Sequence, residues 1–189
     1  KSYGLGALSP NTLIFDVSSN VPLTEETIDL LRTAESMRKN ILLFRENAPA
    51  SSKKKIIDIW WDSAYRGNFE LMLSLITSLK DNARWHGART RLQALCPSDD
   101  AKENLAEYLR DFIYHSRITM EPHLHVEGTL EKHSQDADLC FLGLQPLSQA
   151  ASDKEYLQEL NALLESTTAI GKLFLVISND RIDHREGYW

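Results

Sequence analysis

The hydrophobic and polar positions along the chain follow two periods in turn, and this alternation predicts strands that are separated by helices. Short and nearly continuous apolar runs are typical of strands buried on both faces of a parallel sheet. Runs in which polar and apolar residues alternate are typical of strands nearer an edge. Seven strands are predicted: NTLIFDV (11–17), ILLFR (41–45), IIDIWW (56–61), ARTRLQALC (88–96), ITMEPHLHV (118–126), DLCFLGL (138–144) and KLFLVI (172–177).

Four helices are predicted between these strands, from apolar residues three or four positions apart. The first begins after Thr24, which is expected to cap it, and ends at Asn40. The second covers about residues 67–84. Capping boxes at 100–103 and 152–155 open the third and fourth helices, because an Asp or Ser followed three residues later by Glu can satisfy two free N–H groups of a first turn.

The five strands after residue 55 predict a three-layer α/β/α fold with a mostly parallel sheet, since strands joined through helices pair in parallel with right-handed crossovers. Numbered one to five along the chain, they fit the flavodoxin-like order 3-2-1-4-5. This order places the run with Pro122 and two histidines at an edge, where a proline removes no sheet hydrogen bond. It also places IIDIWW beside DLCFLGL at the switch point of the sheet, where such folds bind ligands.

The linker NAPASSKKK (47–55) is the strongest candidate for a domain boundary, because it concentrates Pro, Ala and Ser. It divides the chain into a strand-helix-strand remnant of a first lobe (1–48) and a second α/β lobe (49–189). Two strands and one helix cannot cover both faces of a sheet, so the remnant is too small to fold alone. We therefore expect its strands to extend the sheet of the second lobe or to pack against another copy of the chain.

Composition and charge exclude several classes of function. Apolar residues make up 42% and charged residues 25% of the chain, and a net charge of −6 gives no basis for binding nucleic acid. No apolar run approaches the ~20 residues that cross a bilayer, so no direct membrane insertion of this chain is expected. Cys96 and Cys140 are far apart and are expected to be buried free thiols, not a disulfide or a zinc site. A first residue of Lys1 indicates a piece of a longer polypeptide.

The loops at the switch point lack the glycines that a phosphate site needs for close approach of backbone N–H groups. The P-loop pattern is absent, and the one G-x-G, at Gly4 and Gly6, precedes a strand instead of following it. The loop at 62–67 has a single glycine, and the loop at 143–146 has one glycine and one proline. A helix N-terminus with Arg66 nearby could still attract an anion, but we expect weak nucleotide binding or none, and no cofactor.

Candidates for catalysis and metal binding are few. Ser63 is not in the G-x-S-x-G pattern of a nucleophile elbow. His123 and His125 share one face of a strand and could bind a metal ion with Glu121. Alternation on a solvated edge strand produces the same spacing, and we favour that interpretation. The sequence therefore predicts no catalytic, cofactor-binding or metal-binding residues.

Asp58 is the unusual residue of the central strand IIDIWW. A carboxylate in this position must be hydrogen-bonded or must lie near the end of the sheet, and the sequence does not identify its partner. Trp60 and Trp61 are expected to point to opposite faces of the sheet, each packed under a crossover helix.

Three segments carry a resemblance to a known family. GLGALSPNTLIFDV (4–17) resembles the G-L-G-x-x-x-P-N-T-L segment in the C-terminal cytosolic domain of cation-chloride cotransporters. KKKIIDIWW (53–61) is similar to the K-x-I-D-x-(Y/W)-W strand of that domain, and LEKHSQDADLCFLGLQP (130–146) to its L-x-x-H-S-x-x-A-x-(I/L) segment. The D-D-G-G that often follows the Trp strand in the family is replaced here by Asp62-Ser-Ala-Tyr-Arg-Gly67, and the short loops suggest a prokaryotic member.

The resemblance implies two lobes related to universal stress proteins, on the cytoplasmic side of the cell membrane. It implies a non-catalytic domain that forms a homodimer and tunes the symport of chloride with cations such as potassium, which the transmembrane domain of the same polypeptide carries. The alternative is a free-standing nucleotide sensor of the universal stress type, which would carry spaced glycines where this chain has GLQPLSQAASDKEY (143–156). A small hydrolase is the third hypothesis, and no nucleophile beside a histidine supports it.

Overall fold

Seven strands form one sheet in the computed structural model, which describes residues 11–18, 21–47, 55–116 and 119–179. Within these ranges the strands are β1 (Thr12–Asp16), β2 (Asn40–Glu46), β3 (Ile56–Trp60), β4 (Arg89–Leu95), β5 (Glu121–His125), β6 (Leu139–Gly143) and β7 (Lys172–Ile177). The α-helices are α1 (Glu25–Ser36), α2 (Arg66–Lys80), α3 (Asp99–Ser116), α4 (Leu130–Ser134) and α5 (Asp153–Glu165). Single 3-10 turns lie at Ser63–Tyr65 and Leu147–Gln149.

The strand order is β1-β2-β7-β6-β3-β4-β5, and every neighbouring pair is parallel except β2 with β7. Read from β5, the last five strands have the predicted order 3-2-1-4-5, which is confirmed. The strand with Pro122 lies at the edge, and β3 pairs with β6 at the switch point, as predicted.

The N-terminal strands extend the sheet of the second lobe, because β2 pairs antiparallel with β7 along Ile41–Glu46. Most of the linker at 47–55 lies outside the described residues, as do Gly4 and Gly6. The division into two lobes at residue 48 therefore stays a prediction, although one continuous sheet spans the described strands on both sides of it.

Helices cover both faces of the sheet, which gives the predicted three layers. On the first face, α1 and α5 pack against residues that include Leu43, Leu173 and Leu175. On the second face, α2 packs against Ile59 and Phe141. Trp60 is buried on the first face and Trp61 packs on the second, as the alternation predicted. Cys96 and Cys140 are both buried free thiols.

Several predicted helix ends are wrong by a few residues. Helix α2 stops at Lys80 instead of Arg84, because Asn82 forms a turn in which its Oδ1 accepts from the N–H of Arg84. Ser98, not Asp100, caps α3, and its Oγ accepts from the N–H of Ala101. Thr24 occupies the N-cap position of α1, but its side chain makes no capping hydrogen bond.

The predicted cap at Ser152 is confirmed, since Ser152 Oγ accepts from the N–H of Glu155 at 3.2 Å. Among the described residues, no helix combines the length and the apolar character needed to cross a membrane.

Candidate functional site

The side chain of Asn68 lies at the carboxyl ends of β6 and β7, beside the switch point between β3 and β6. It belongs to the first turn of α2 and is only 4% exposed. Its Nδ2 donates to the carbonyl of Leu144 at 2.7 Å, and its Oδ1 accepts from the N–H of Ser178 at 2.7 Å. One amide therefore joins the ends of β6 and β7, next to the place where related folds bind ligands.

Gly143 allows this close approach. A Cβ at position 143 would lie 3.1 Å from Asn68 Nδ2 and 3.2 Å from Asn68 Cβ. The glycine that ends β6 thus makes room for a protein side chain, whereas a phosphate loop uses its glycines to make room for an anion.

The loops beside Asn68 also satisfy their polar groups internally. Asp62 Oδ1 accepts from the N–H of Ala64 at 2.8 Å, and the hydroxyl of Tyr156 donates to the carbonyl of Gln145 at 2.9 Å. Burial raises the pKa of Tyr156, so its hydroxyl stays a donor. The side chains of Ser63 and Arg66 lie outside the described part of the structure. The expectation of weak nucleotide binding or none stays a prediction.

The partner of Asp58 is Arg91 on the neighbouring strand. The two residues are direct register partners in β3 and β4. Arg91 Nε donates to Asp58 Oδ1 at 2.6 Å and its Nη2 to Oδ2 at 2.8 Å, and Asp58 is 0% exposed. This bidentate geometry is the strongest arrangement for an arginine and a carboxylate, and it neutralises both buried charges.

Asp136 binds the other side of the same guanidinium, at 2.7 Å from Nη2 and 3.0 Å from Nη1. Burial alone would lower the pKa of Arg91, but the hydrogen bonds that it donates to Asp58 and Asp136 outweigh burial and raise the pKa. The same hydrogen bond from Arg91 lowers the pKa of Asp136. Arg91 therefore stays a fixed cation that holds the loop after α4 against the sheet.

Ser134 completes this cluster from the C-terminal end of α4. Its hydroxyl donates to Asp58 Oδ2 at 2.7 Å and accepts from Trp60 Nε1 at 3.0 Å. Cys140 Sγ lies 3.9 Å from Ser134 Oγ, and burial raises the pKa of this thiol. The side-chain oxygen of Ser134 is thus fully used, and all four of these residues are buried.

The two histidines of β5 do not act as a pair. His123 Nε2 lies 3.7 Å from Glu121 Oε2, and the same carboxylate forms an ion pair with Arg89, whose Nε is 3.2 Å away. His125 turns instead toward α4, where its ring stacks on the ring of His133 at 3.5 Å between centroids. Both histidines are half-buried, and the packing of His125 on a second ring was not anticipated from the sequence. Among the described residues, no group of three His, Cys, Asp or Glu side chains is placed to hold a metal ion.

Sequence reasoning missed Asn68, Arg91 and His133. For Arg91 a signal was available. It lies in the middle of the strand that neighbours the one with the buried Asp58, and buried charges are normally paired. No comparable signal marked Asn68 or His133, whose roles depend on where a helix begins and how a crossover folds back.

Comparisons with known proteins bear on the fold. No protein-family model matches the chain. Among solved structures, it is similar to one described as the crystal structure of the cytoplasmic domain of a prokaryotic cation chloride cotransporter. The two share 22% sequence identity with a TM-score of 0.68, and the match covers 90% of this chain and 64% of the solved one. The chain thus spans less than two thirds of that structure, and it has the α/β fold of that cytoplasmic domain.

Proposed function

We propose that this chain is a non-catalytic regulatory and dimerisation domain on the cytoplasmic side of a membrane cation-chloride cotransporter. The observation that carries the proposal is the likeness in fold to the cytoplasmic domain of such a transporter, over 90% of the chain at a TM-score of 0.68. In this role the transmembrane part of the same polypeptide moves the ions, and the domain sets how fast they move.

The motif residues of the sequence resemblance support the proposal independently. Asp58 and Trp60 belong to the KKKIIDIWW segment, and His133 and Ser134 to the LEKHS segment. Three of these residues, Asp58, Trp60 and Ser134, form one hydrogen-bonded cluster, and the ring of His133 lies 6.5 Å from that of Trp60. Two of the three segments that carry the resemblance therefore build the same part of the molecule.

The geometry of this cluster disfavours catalysis. A serine, a histidine and an aspartate lie close together here, but they do not form a triad. Ser134 is 0% exposed and donates directly to Asp58. His133 Nε2 faces the carbonyl of Glu127 at 2.9 Å, so it is not available to take a proton from Ser134.

The contacts of Asn68 beside the switch point disfavour the nucleotide-sensor alternative. A nucleotide phosphate that reached the carboxyl ends of β6 and β7 would have to displace an amide that makes two hydrogen bonds of 2.7 Å. The carbonyl of Leu144 would then lose a donor that a phosphate cannot replace, at a cost of about 1–3 kcal/mol.

An exposed apolar surface at the β1 edge favours self-association. Ile14 on β1 is 63% exposed, and Val21, Leu30 and Met37 near or within α1 are more than half exposed. β1 is also an edge strand, with one side free of any partner among the described strands. Unpaired edge strands and exposed apolar side chains of this kind are commonly covered by another chain.

Ion uptake by the complete polypeptide tests the regulatory role. With residues 11–179 deleted, we expect chloride-dependent rubidium uptake to change severalfold at equal abundance in the membrane. Rubidium serves here as a tracer for potassium. An uptake that is unchanged by the deletion would contradict the regulatory role.

Sedimentation of the isolated chain tests the dimer. We expect a species of twice 21.5 kDa at micromolar concentration. An Ile14→Lys variant should sediment as a monomer, because it places a charge on the apolar edge. A wild-type chain that sediments as a monomer at every concentration would remove dimerisation from the proposed role.

A further inference from the structure

The crossover from β5 to β6 differs from the others because its helix is short. α4 has 5 residues, whereas α1, α2, α3 and α5 have 12 to 18. A helix this short cannot hold itself on a sheet through an apolar stripe. Among the contacts of α4 is a pair of parallel rings, His125 at the end of β5 and His133 in α4, with 3.5 Å between centroids and 14° between planes.

Hydrogen bonds fix where the protons of this pair lie. His133 Nε2 is 2.9 Å from the carbonyl of Glu127, which can only accept, so Nε2 carries a proton. His125 Nε2 lies 2.8 Å from Oε1 of the buried Gln93 and donates to it. A further proton on either ring must therefore go to Nδ1 and make that ring a cation.

The loop before α4 closes tightly around the His133 ring. Gly128 has φ of +106°, and a Cβ there would lie 2.4 Å from His133 Nε2. The His133 ring is thus packed between Gly128 and the His125 ring, and it cannot move away from His125 unless this loop opens.

The groups around the stacked rings disfavour a positive charge on His125. From β5 come His123 and Glu121, from β4 Arg91, from α3 Lys102, and from the loop after α4 Asp136. Asp136 and Asp58 are already bound to Arg91, and Glu121 is bound to Arg89. Burial, followed by the neighbouring His133 and His123, lowers the pKa of His125.

We propose that the stacked rings of His125 and His133 form a proton-sensitive latch, which holds the 126–138 crossover on the edge of the sheet and releases it on acidification. The latch is a property of this chain whether or not the transporter role holds. Release of the latch opens the crossover locally, next to the Asp58–Arg91 pair. Ser134 connects this pair to the crossover through its hydrogen bond to Asp58.

The direction of the pH effect follows from linkage. A histidine whose pKa is lowered in the closed state binds its proton more readily when the crossover is open. Closure is therefore fully stable above the ordinary histidine pKa of 6.5 and weakens as the pH falls below that value. At about pH 5.5, one unit lower, protonation of His125 can shift the opening equilibrium by at most about tenfold.

Amide hydrogen exchange of the 189-residue chain at about pH 7.5 and pH 5.5 tests the latch, with rates corrected for intrinsic pH dependence. We expect protection of residues 126–137 to fall severalfold at the lower pH while protection of β6 and β7 is unchanged. Equal protection of the crossover at both values would overturn the proposal.

A His125→Phe variant separates titration from stacking, because phenylalanine keeps a ring on His133 but takes no proton. We expect its crossover to lose most of the pH dependence, whereas a His86→Gln control, at an exposed turn, should keep it. A pH dependence that persists in His125→Phe would overturn the proposal. If this variant does not fold, NMR titration of the wild-type ring protons decides, and a His125 pKa at or above 6.5 would be the contradicting result.

Discussion

The two halves of the first face of the sheet are built on different principles. Under α1 and α5, the strand residues Leu43, Leu173 and Leu175 are fully buried and apolar. Under α4, the same face presents Asp58 and Arg91, also buried. One half is mainly a hydrophobic core, in which the buried Arg45 donates to the carbonyls of Leu164 and Thr167. The other half is a network of charged and hydrogen-bonded side chains.

The length of the covering helix explains the difference. α1 and α5 have 12 and 13 residues and carry apolar stripes that match the strands beneath them. α4 offers about one turn, so it brings single polar anchors, Ser134 and His133, that bind specific partners. The apolar half should tolerate a change of shape, while the polar half should depend on each partner being present.

Removal of Asp58 should have the largest effect. In Asp58→Ala, Arg91 keeps only the exposed Asp136 as a partner, so its charge is buried and half paired. We expect a loss of about 3–5 kcal/mol in the free energy of unfolding, measured by urea denaturation.

Two matched variants sharpen this test. Leu43→Ala, in the apolar half, should cost about 2–5 kcal/mol through the cavity that it leaves. Arg32→Ala removes an exposed ion pair with Asp153 and should cost less than about 1 kcal/mol. If Asp58→Ala cost no more than Arg32→Ala, the contrast between the two halves would be wrong.

Substitution of Gly128 should have a smaller effect that is confined to the polar half. In Gly128→Ala, the new Cβ meets His133 Nε2 and the backbone is held at positive φ, so we expect a loss of about 1–2 kcal/mol. Gly87 is the control, because a Cβ there meets nothing within 4 Å, and Gly87→Ala should be neutral or slightly stabilising. Equal losses of unfolding free energy in the two variants would show that the packing of His133 against Gly128 does not contribute to stability.

The same contrast explains what could be predicted from sequence. Strand order, the edge position of Pro122 and the opposite faces of Trp60 and Trp61 follow from local periodicity and the rules of crossover connections. These rules describe apolar layers well. They also gave the cap at Ser152, since a capping box lies within four consecutive residues.

The polar contacts could not be predicted, because they join residues far apart in sequence at one register and one rotamer. Asp58 meets Arg91 only if β3 and β4 pair in the observed register. His125 meets His133 only if the crossover folds back over β5. Asn68 reaches Leu144 and Ser178 because α2 begins where it does. None of these conditions can be read from the hydrophobic periodicity of the sequence.

The antiparallel pairing of β2 with β7 sets an order of events at the ribosome. Glu46 ends β2, and its partner Lys172 is added more than a hundred residues later. At roughly 5–20 residues per second, this interval lasts about 6–25 s, much longer than a helix or hairpin needs to form. During that time the β7-facing edge of β2 has no native partner. Chaperone binding or premature pairing with another nascent chain would act on this edge first, before the last strand is translated.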